Sequence, residues 1–505
     1  MPEVASTDTP IPPRFWWLRR LGAAAAVFVL SLAGVRVWWG HVAESRLQAK
    51  IAEYRAAGQP VLIEDFAVEP VPDEENGAYF LRQAASLAQP KEEMTDIAYD
   101  ARLRAEHANE LQQYVVANAA ALKLIREARS KTRTDWNQKL TSPVITMLLP
   151  NLSPQRMLAK LARTAALQQH AVGNDAEAVE MMHDILDLAR HVDRTSPCLI
   201  SFLVAIAIDA LGTSTVEYMS HDLLIATKNP ATRDAAQPAT RQQVEDLIRD
   251  LLEEQGLDDA WRHNLCGERM GQVDTMLGVI RRSPTSLLGN ASLVAEPFLT
   301  PAWKLDTVIL MERTTATIEA GLAPSWPAAQ AALPNPHPSP RCSADQIAHL
   351  FGSILPGADD GAVQLRFRLL NERRMAALAL AIRLYEVEHG HRPAALSELV
   401  PDYLPAVPRD PFDADNGSIR YRPDAPSPLL YSVGLNGIDE NGAFSGSADW
   451  RPKDIPFFLN GDRPRPVPRR DATSQPSPRP TAPPTSTQAV VDDQQPEDAD
   501  RKQRE

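Results

Sequence analysis

Residues 15–39 read FWWLRRLGAAAAVFVLSLAGVRVWW, and this stretch divides the chain between lipid and water. From Leu21 to Val35 every residue is apolar or small except Ser31. Phe15, Trp16 and Trp17 stand before the run, and Trp38 and Trp39 stand after it. Indole rings settle at the headgroup level, so aromatic pairs at both ends suit a membrane-spanning helix. A helix from Trp16 to Trp39 would be ~36 Å long at ~1.5 Å per residue, enough for a ~30 Å hydrocarbon core. Arg36, near one end, can snorkel to the interface.

A cleaved signal peptide ending at Ala33 is the rival reading. Arg36, Trp38 and Trp39 follow that point at once, and an amphipathic pattern continues through Leu47, Ile51 and Tyr54, which favours the anchor. Arg14, Arg19 and Arg20 on one flank face Arg36, Arg46 and Lys50 on the other, so the charge bias is weak. Arg19 and Arg20 abut the apolar run, which favours a short cytoplasmic N-terminus and a periplasmic remainder. The expectation is a single-pass protein of the cell membrane, held in the lipid bilayer by residues 16–39.

The 505 residues allow two or three domains. A net charge of −13 argues against a nucleic-acid partner, which needs clustered cations to neutralise phosphates. Cys198, Cys266 and Cys342 are far apart and form no CxxC, so neither a zinc site nor a thioredoxin-like motif is suggested.

Beyond the anchor the chain reads as mainly α. Gly58-Gln59-Pro60 stops the first helix, and Asp73 stands as an N-cap before Ala78, Phe80 and Leu81. Residues 91–130 are charged, with few apolar positions, and predict one or two solvated helices. Residues 154–193 form the clearest helical hairpin. Leu158, Leu161 and Ala165 make one stripe; Ala178, Met182, Ile185, Ala189 and Val192 make the other. Gly173-Asn174-Asp175 supplies the stop and the next N-cap. The hairpin resembles a single tetratricopeptide-type unit, although no 34-residue period recurs in the chain. Cys198 to Leu211 is apolar but short and interrupted by Asp209, which predicts a buried core helix rather than a second span. Helical patterns continue over 238–255, 257–282 and 301–321, and a last one runs from Ala362 to Glu388. Ser418–Tyr421 and Leu429–Val433 have strand character.

Six prolines between Pro324 and Pro340 predict a linker. Residues 463–505 hold nine prolines and no aromatics, a composition that cannot bury a core. The expected organisation is therefore a disordered N-terminus at 1–13, the anchor at 14–40, and a helical body at 41–322. A linker at 323–342, a small α+β module at 343–462 and a disordered tail at 463–505 complete it.

The module carries the most specific motifs. A long helix ends at His389-Gly390. His391-Arg392-Pro393, Leu396, Leu399-Val400, Tyr403-Leu404-Pro405 and Pro408-Arg409-Asp410-Pro411-Phe412 follow. Then come Tyr421 and the run Tyr431-Ser432-Val433-Gly434-Leu435-Asn436-Gly437-Ile438-Asp439-Glu440-Asn441-Gly442. This order resembles the soluble part of the major pseudopilin of type II secretion systems, where a helix leads through a "grYP" segment and a "PkDPwG" turn into strands closed by a calcium-binding "SLGaDG" loop. The resemblance covers residues 367–449. It implies a helix-plus-sheet fold and a calcium site built from the carbonyls of Val433 and Ile438 and the side chains of Asn436 and Asp439 or Asn441. Asp449 would be the later acidic ligand, with Asp454 a weaker candidate. Asn436 stands where the family has Asp, and no pilin-type processing site precedes Leu21. The chain as a whole resembles anchored proteins of bacterial envelopes that end in a similar Ser-Val-Gly-x-Asn-Gly module and bring no assigned reaction.

Calcium takes six to eight oxygens in flexible loops, and a run of Asn, Asp and Glu between glycines can supply them. The same run also suits a plain turn cluster without metal. Elsewhere, Glu180/His183 and Glu386/His389 form ExxH pairs of the kind used by di-iron bundles. His183, Asp187 and His191 share one helix face, which reads either as a metal or proton-relay face or as the solvated side opposite the Met182–Ile185–Ala189 stripe. His389 and His391 form an HxH pair at the loop entering the strands. No GxSxG, HExxH or P-loop pattern stands in the context it would need. The functional expectation is a structural or interaction protein of the envelope with unidentified protein partners. The alternatives are a metal-dependent hydrolase using the His183 face and a component of a secretion or pilus-like machine.

Overall fold

The computed structural model describes residues 15–226, 237–282, 292–333, 360–443 and 453–461. The first element, α1, is one uninterrupted helix from Trp16 to Ala56. Its two halves meet different surroundings. Val29, Leu30 and Trp38 are 61%, 71% and 66% exposed, whereas Ala43, Leu47, Ile51 and Tyr54 are buried. The buried stripe packs with Val61 against Val273 and Met311. Burying side chains of this size stabilises by about 1.5–3 kcal/mol each, so the C-terminal half is held firmly to the body.

Five short helices follow: α2 (Gly77–Leu87), α3 (Glu92–Tyr99), α4 (Ala101–Glu106), α5 (Ala108–Ala117) and α6 (Ala119–Arg129). Asn76, not Asp73, caps α2: its Oδ1 accepts the Ala78 amide at 3.1 Å. Asp73 instead opens a 3-10 turn. The same Asn76 oxygen accepts the Asp135 amide and its Nδ2 donates to the Asp135 carbonyl, tying α2 to the loop after α6. The 91–130 stretch is less solvated than its charge suggests. Met94, Ala98, Leu111, Tyr114, Ile125 and Ala128 are buried, because breaking the stretch into short helices lets each present its few apolar residues inward.

The helical hairpin is α7 (Leu152–Ala171) and α8 (Asp175–Val192), turned by Gly173 at φ +81°. The apolar segment after it is α9 (Leu199–Met219), buried over just over half of its most apolar window, which makes it a core helix. Then come α10 (Arg241–Leu252), α11 (Gln255–Arg282) and α12 (Ser292–Gly321). A capping box starts α10: the Gln243 amide donates to Thr240 Oγ1 at 3.1 Å, and Gln243 Oε1 accepts the Thr240 amide at 3.0 Å.

Within the stretch expected to be a linker, α13 (Trp326–Ala332) forms and docks. The Trp326 amide donates to the Pro411 carbonyl at 2.7 Å, and its indole meets Phe367 edge-on at 6.1 Å. The linker from 334 onward, the N-terminal 1–13 and the tail at 463–505 lie outside the described residues.

The long helix α14 (Asp360–His389) does not stand apart in a separate module. Every residue from Met375 to Ile382 is buried, so the helix is enclosed on all sides. It packs against α9 and α10, and one core runs without break from Ala78 in the body to Leu459 beyond the sheet. The sheet has three short antiparallel strands in the order β1 (Arg420–Arg422), β2 (Leu429–Ser432), β3 (Ile455–Phe458). The first two fall where sequence places strands; β3 was not foreseen. Its buried pattern fits a strand covered on both faces, and the Phe458 amide donates to the buried Glu217 of α9 at 2.9 Å.

Candidate functional site

The loop after β2 is shaped by residues with positive φ: Gly434 at +62°, Gly437 at +65°, Asn441 at +61° and Gly442 at +76°. At Gly434 a side chain is also excluded by space, since a Cβ would stand 2.5 Å from the Lys453 carbonyl.

Asp410, from the Pro-Arg-Asp-Pro turn, anchors the loop from beneath. Its Oδ1 accepts from the Phe412 amide and Ser432 Oγ, and its Oδ2 accepts the Val433 amide at 2.9 Å. Arg420 of β1 then gathers Asp410, Asp413 and Asp439 at 3.2, 2.9 and 2.8 Å.

Of the residues the resemblance assigns to calcium, several are committed elsewhere. Asp439 accepts from Arg420, the Tyr431 hydroxyl and the Asn441 amide. Against the cost of burial, these donors hold its carboxyl below the usual range. Asn436 Oδ1 accepts the Ile438 amide, and its Nδ2 donates to Glu440 Oε1 at 2.7 Å. The Asn441 carbonyl accepts from Arg422. Val433 is buried, Ile438 is exposed, and Asp449 lies outside the described residues.

The structure instead brings together Glu440 and Asp454. Asp454 Oδ2 accepts the amides of Glu440 and Gly442 at 3.1 and 2.7 Å. Its Oδ1, and Glu440 Oε2, are buried atoms with no hydrogen-bond donor. Burial and the neighbouring Glu440 carboxylate, opposed by the Gly442 amide, push Asp454 up to about 6. Two carboxylate oxygens without donors are ligands of the kind a hard cation takes. Glu440 sits in the quoted motif, so its acidity and the glycines around it were the available signal.

Of the other candidates only Asp187 and His191 meet. Glu180 pairs with Arg129 of α6, while His183 Nδ1 meets Asp250 of α10 at 2.7 Å. His191 is buried, not solvated: Nδ1 meets Thr134 Oγ1 at 2.6 Å, and Nε2 lies 3.0 Å from Asp187 and 3.1 Å from the Ala128 carbonyl. The face predicted to be wet is covered by α6 and α10, which use its polar groups as packing contacts. Glu386 pairs with Arg383 and Arg392, and His389 stacks on Tyr385 at 4.1 Å. Among the described residues, no group of three or more His, Cys, Asp and Glu side chains is placed to hold a metal.

Sequence reading missed one cluster. His170, at the end of α7, is clamped between Asp175 at 2.6 Å and Asp222 at 3.0 Å. Burial opposes its charge, but the two carboxylates raise it to about 9. It lines a cleft of about 500 Å³ with Tyr99, Arg104, Tyr218 and His221. Asp175, which the sequence offers as a helix cap, is buried; its second oxygen accepts the Leu224 amide.

No family model, no curated protein and no solved structure matches this chain.

Proposed function

We propose that the chain is a single-pass, membrane-anchored structural or interaction protein of the bacterial envelope, with its body on the periplasmic side. The observation that carries this reading is α1 itself: one unbroken helix, bare and apolar for its first half and packed into the body for its second. Such a helix is a stiff tether that presents a broad helical body beside the bilayer. Glu180 and His183 are taken up by Arg129 and Asp250, and the Asp187–His191 pair stands apart from them with His191 buried against Thr134, which weakens the case for a hydrolase on that face.

The test is fractionation of the full-length chain, followed by protease treatment of spheroplasts. The expected result is release from membranes by detergent alone and digestion of the body by external protease. Recovery of the intact chain in the soluble fraction would overturn the anchor. Protection of the body in spheroplasts would overturn the orientation. Crosslinking in intact membranes would then identify partners, those of a secretion or pilus-like machine among them.

A second reading concerns calcium at the β2–β3 loop. The unpartnered oxygens of Glu440 and Asp454 favour it. Millimolar calcium should raise the unfolding midpoint of the chain by mass action, and Asp454→Asn should weaken that response. An unchanged midpoint would sink the site.

A further inference from the structure

The cleft at His170 has walls held in place by hydrogen bonds. Tyr99 closes α3, Arg104 belongs to α4, His170 stands at the end of α7, and Tyr218 stands near the end of α9. Asn460 and Gly461, just past β3, form the remaining side. Arg104 Nη1 donates to the Ala98 carbonyl and Nη2 to the Tyr218 hydroxyl, both at 2.7 Å. His221 Nδ1 meets the Tyr218 carbonyl at 3.0 Å, and a Cβ at Gly461 would stand 3.0 Å from the His221 ring. Asp222 is more than half exposed. Its Oδ1 is held by His170 at 3.0 Å and by His221 at 3.3 Å, which orients the carboxylate in the cleft wall.

The lining restricts the ligand class. Its apolar surface comes mainly from Tyr99 and Tyr218, whose rings stand 6.1 Å apart at 37°. No Leu, Ile, Val, Met or Phe is among the described residues that line the cleft, so an aliphatic chain finds no matching wall. Arg163 lies 4.2 Å over the Tyr99 ring, and Arg104 lies 4.8 Å over the Tyr218 ring. One face of each ring therefore already carries a guanidinium, and a cationic ligand at the pair would be repelled. Arg102 is paired with Glu106 at 2.8 Å and His170 with its two carboxylates, while Asp100 and Glu217 on the same walls offset Arg104. An anion meets no net attraction there. The lining suits a neutral ligand that has both apolar and hydrogen-bonding surface.

We propose that this cleft binds a neutral oligosaccharide of pyranose rings. A pyranose presents an apolar C–H face edged by hydroxyls that both donate and accept. Tyr99, 42% exposed, supplies ring surface for the C–H face. Asp222 accepts from hydroxyls, and Arg104 donates through the N–H groups that its two bonds leave over. Because these side chains are already held by His170, His221 and Tyr218, little ordering remains to be done on binding. A cleft of about 500 Å³ lies within the ~300–1,000 Å³ of small-ligand sites and takes a short stretch of a glycan. The proposal gives the interaction reading a partner class, and it rests on that reading only for the compartment in which the glycan is met.

The test uses the full-length chain in a sugar-free zwitterionic detergent, with chitotetraose, cellotetraose and maltotetraose as separate probes. Saturation-transfer NMR reads the ring protons of each probe, and a titration gives Kd. Expected is binding of at least one probe at millimolar concentration or below, weakened ~5–10-fold by Tyr99→Ala and kept by Tyr99→Phe. Should Tyr99→Ala lower the unfolding midpoint, Tyr99→Leu, which keeps bulk without the ring, reads the same loss. No transfer to any of the three probes at millimolar concentration, or equal affinity in the variants that lack the ring, would overturn the saccharide site. So would binding of inorganic phosphate or choline that displaces the sugars. Each of these results leaves the anchor standing, since fractionation tests it separately.

Discussion

Replacing Asp454 by Asn should stabilise the C-terminal sheet in calcium-free buffer, although it removes a charge from an acidic protein loop. In the folded chain the Asp454 carboxyl titrates at about 6 instead of its ordinary 3.8, because it is buried beside Glu440. Below 3.8 the carboxyl is protonated in both folded and unfolded chains, and it costs nothing. As the pH rises past 3.8 the unfolded chain loses its proton first. The penalty on the folded state grows until about pH 6 and is then constant. A shift of this size corresponds to about 3 kcal/mol at ~1.36 kcal/mol per decade, and solvent around the loop screens it to about 1–2 kcal/mol.

An Asn side chain can keep the bonds that Asp454 Oδ2 accepts from Glu440 and Gly442. Its amide nitrogen then stands where Oδ1 lacks a donor and can donate to Glu440 Oε2. The assay is hydrogen exchange of the β2 and β3 amides, wild type against variant at matched pH with chelator present. Protection in the variant should be ~5–30-fold greater near neutrality and equal below pH 3.8. Millimolar calcium should reverse the order, since only the carboxylate gains from the cation. Equal protection at every pH, or weaker protection in the variant with chelator, would refute the account of two facing carboxylates.

Four other substitutions probe the body. Arg373→Met should cost about 3–5 kcal/mol in chemical unfolding. Arg373 is paired at 2.8 Å with the buried Asp209 and also donates to the carbonyls of Asp250, Leu251 and Glu253 at the end of α10. Asp209→Asn, whose amide oxygen still accepts from Arg373, should cost less. His170, raised to about 9 from an ordinary 6.5, contributes stability that is complete below 6.5 and lost as the pH rises through 9. His170→Gln should flatten the pH dependence of the unfolding midpoint across that window. Gly267→Ala should destabilise by about 1–3 kcal/mol, because a Cβ there would stand 1.7 Å from the Pro197 carbonyl oxygen; an unchanged midpoint would show that the α9 entry loop yields freely.

Apolar periodicity made the helices legible in the amino-acid order. The α7–α8 hairpin, the buried character of α9 and the last long helix all follow from apolar spacing and a glycine stop, which depend only on neighbours along the chain. So does the bare apolar half of α1. The fate of polar groups did not follow, because it depends on partners distant in sequence. Whether the His183–His191 face met water was decided by Asp250 and Thr134, which the tertiary fold brings from other elements. The identity of the unsatisfied oxygens in the loop was decided by Arg420, which takes Asp439 out of reach and leaves Glu440 and Asp454 facing each other. The joining of body and sheet into one core was likewise decided in three dimensions. Burial of α14 on every side requires surfaces from α9, α10 and the strands at once, and no local pattern encodes which surfaces will meet.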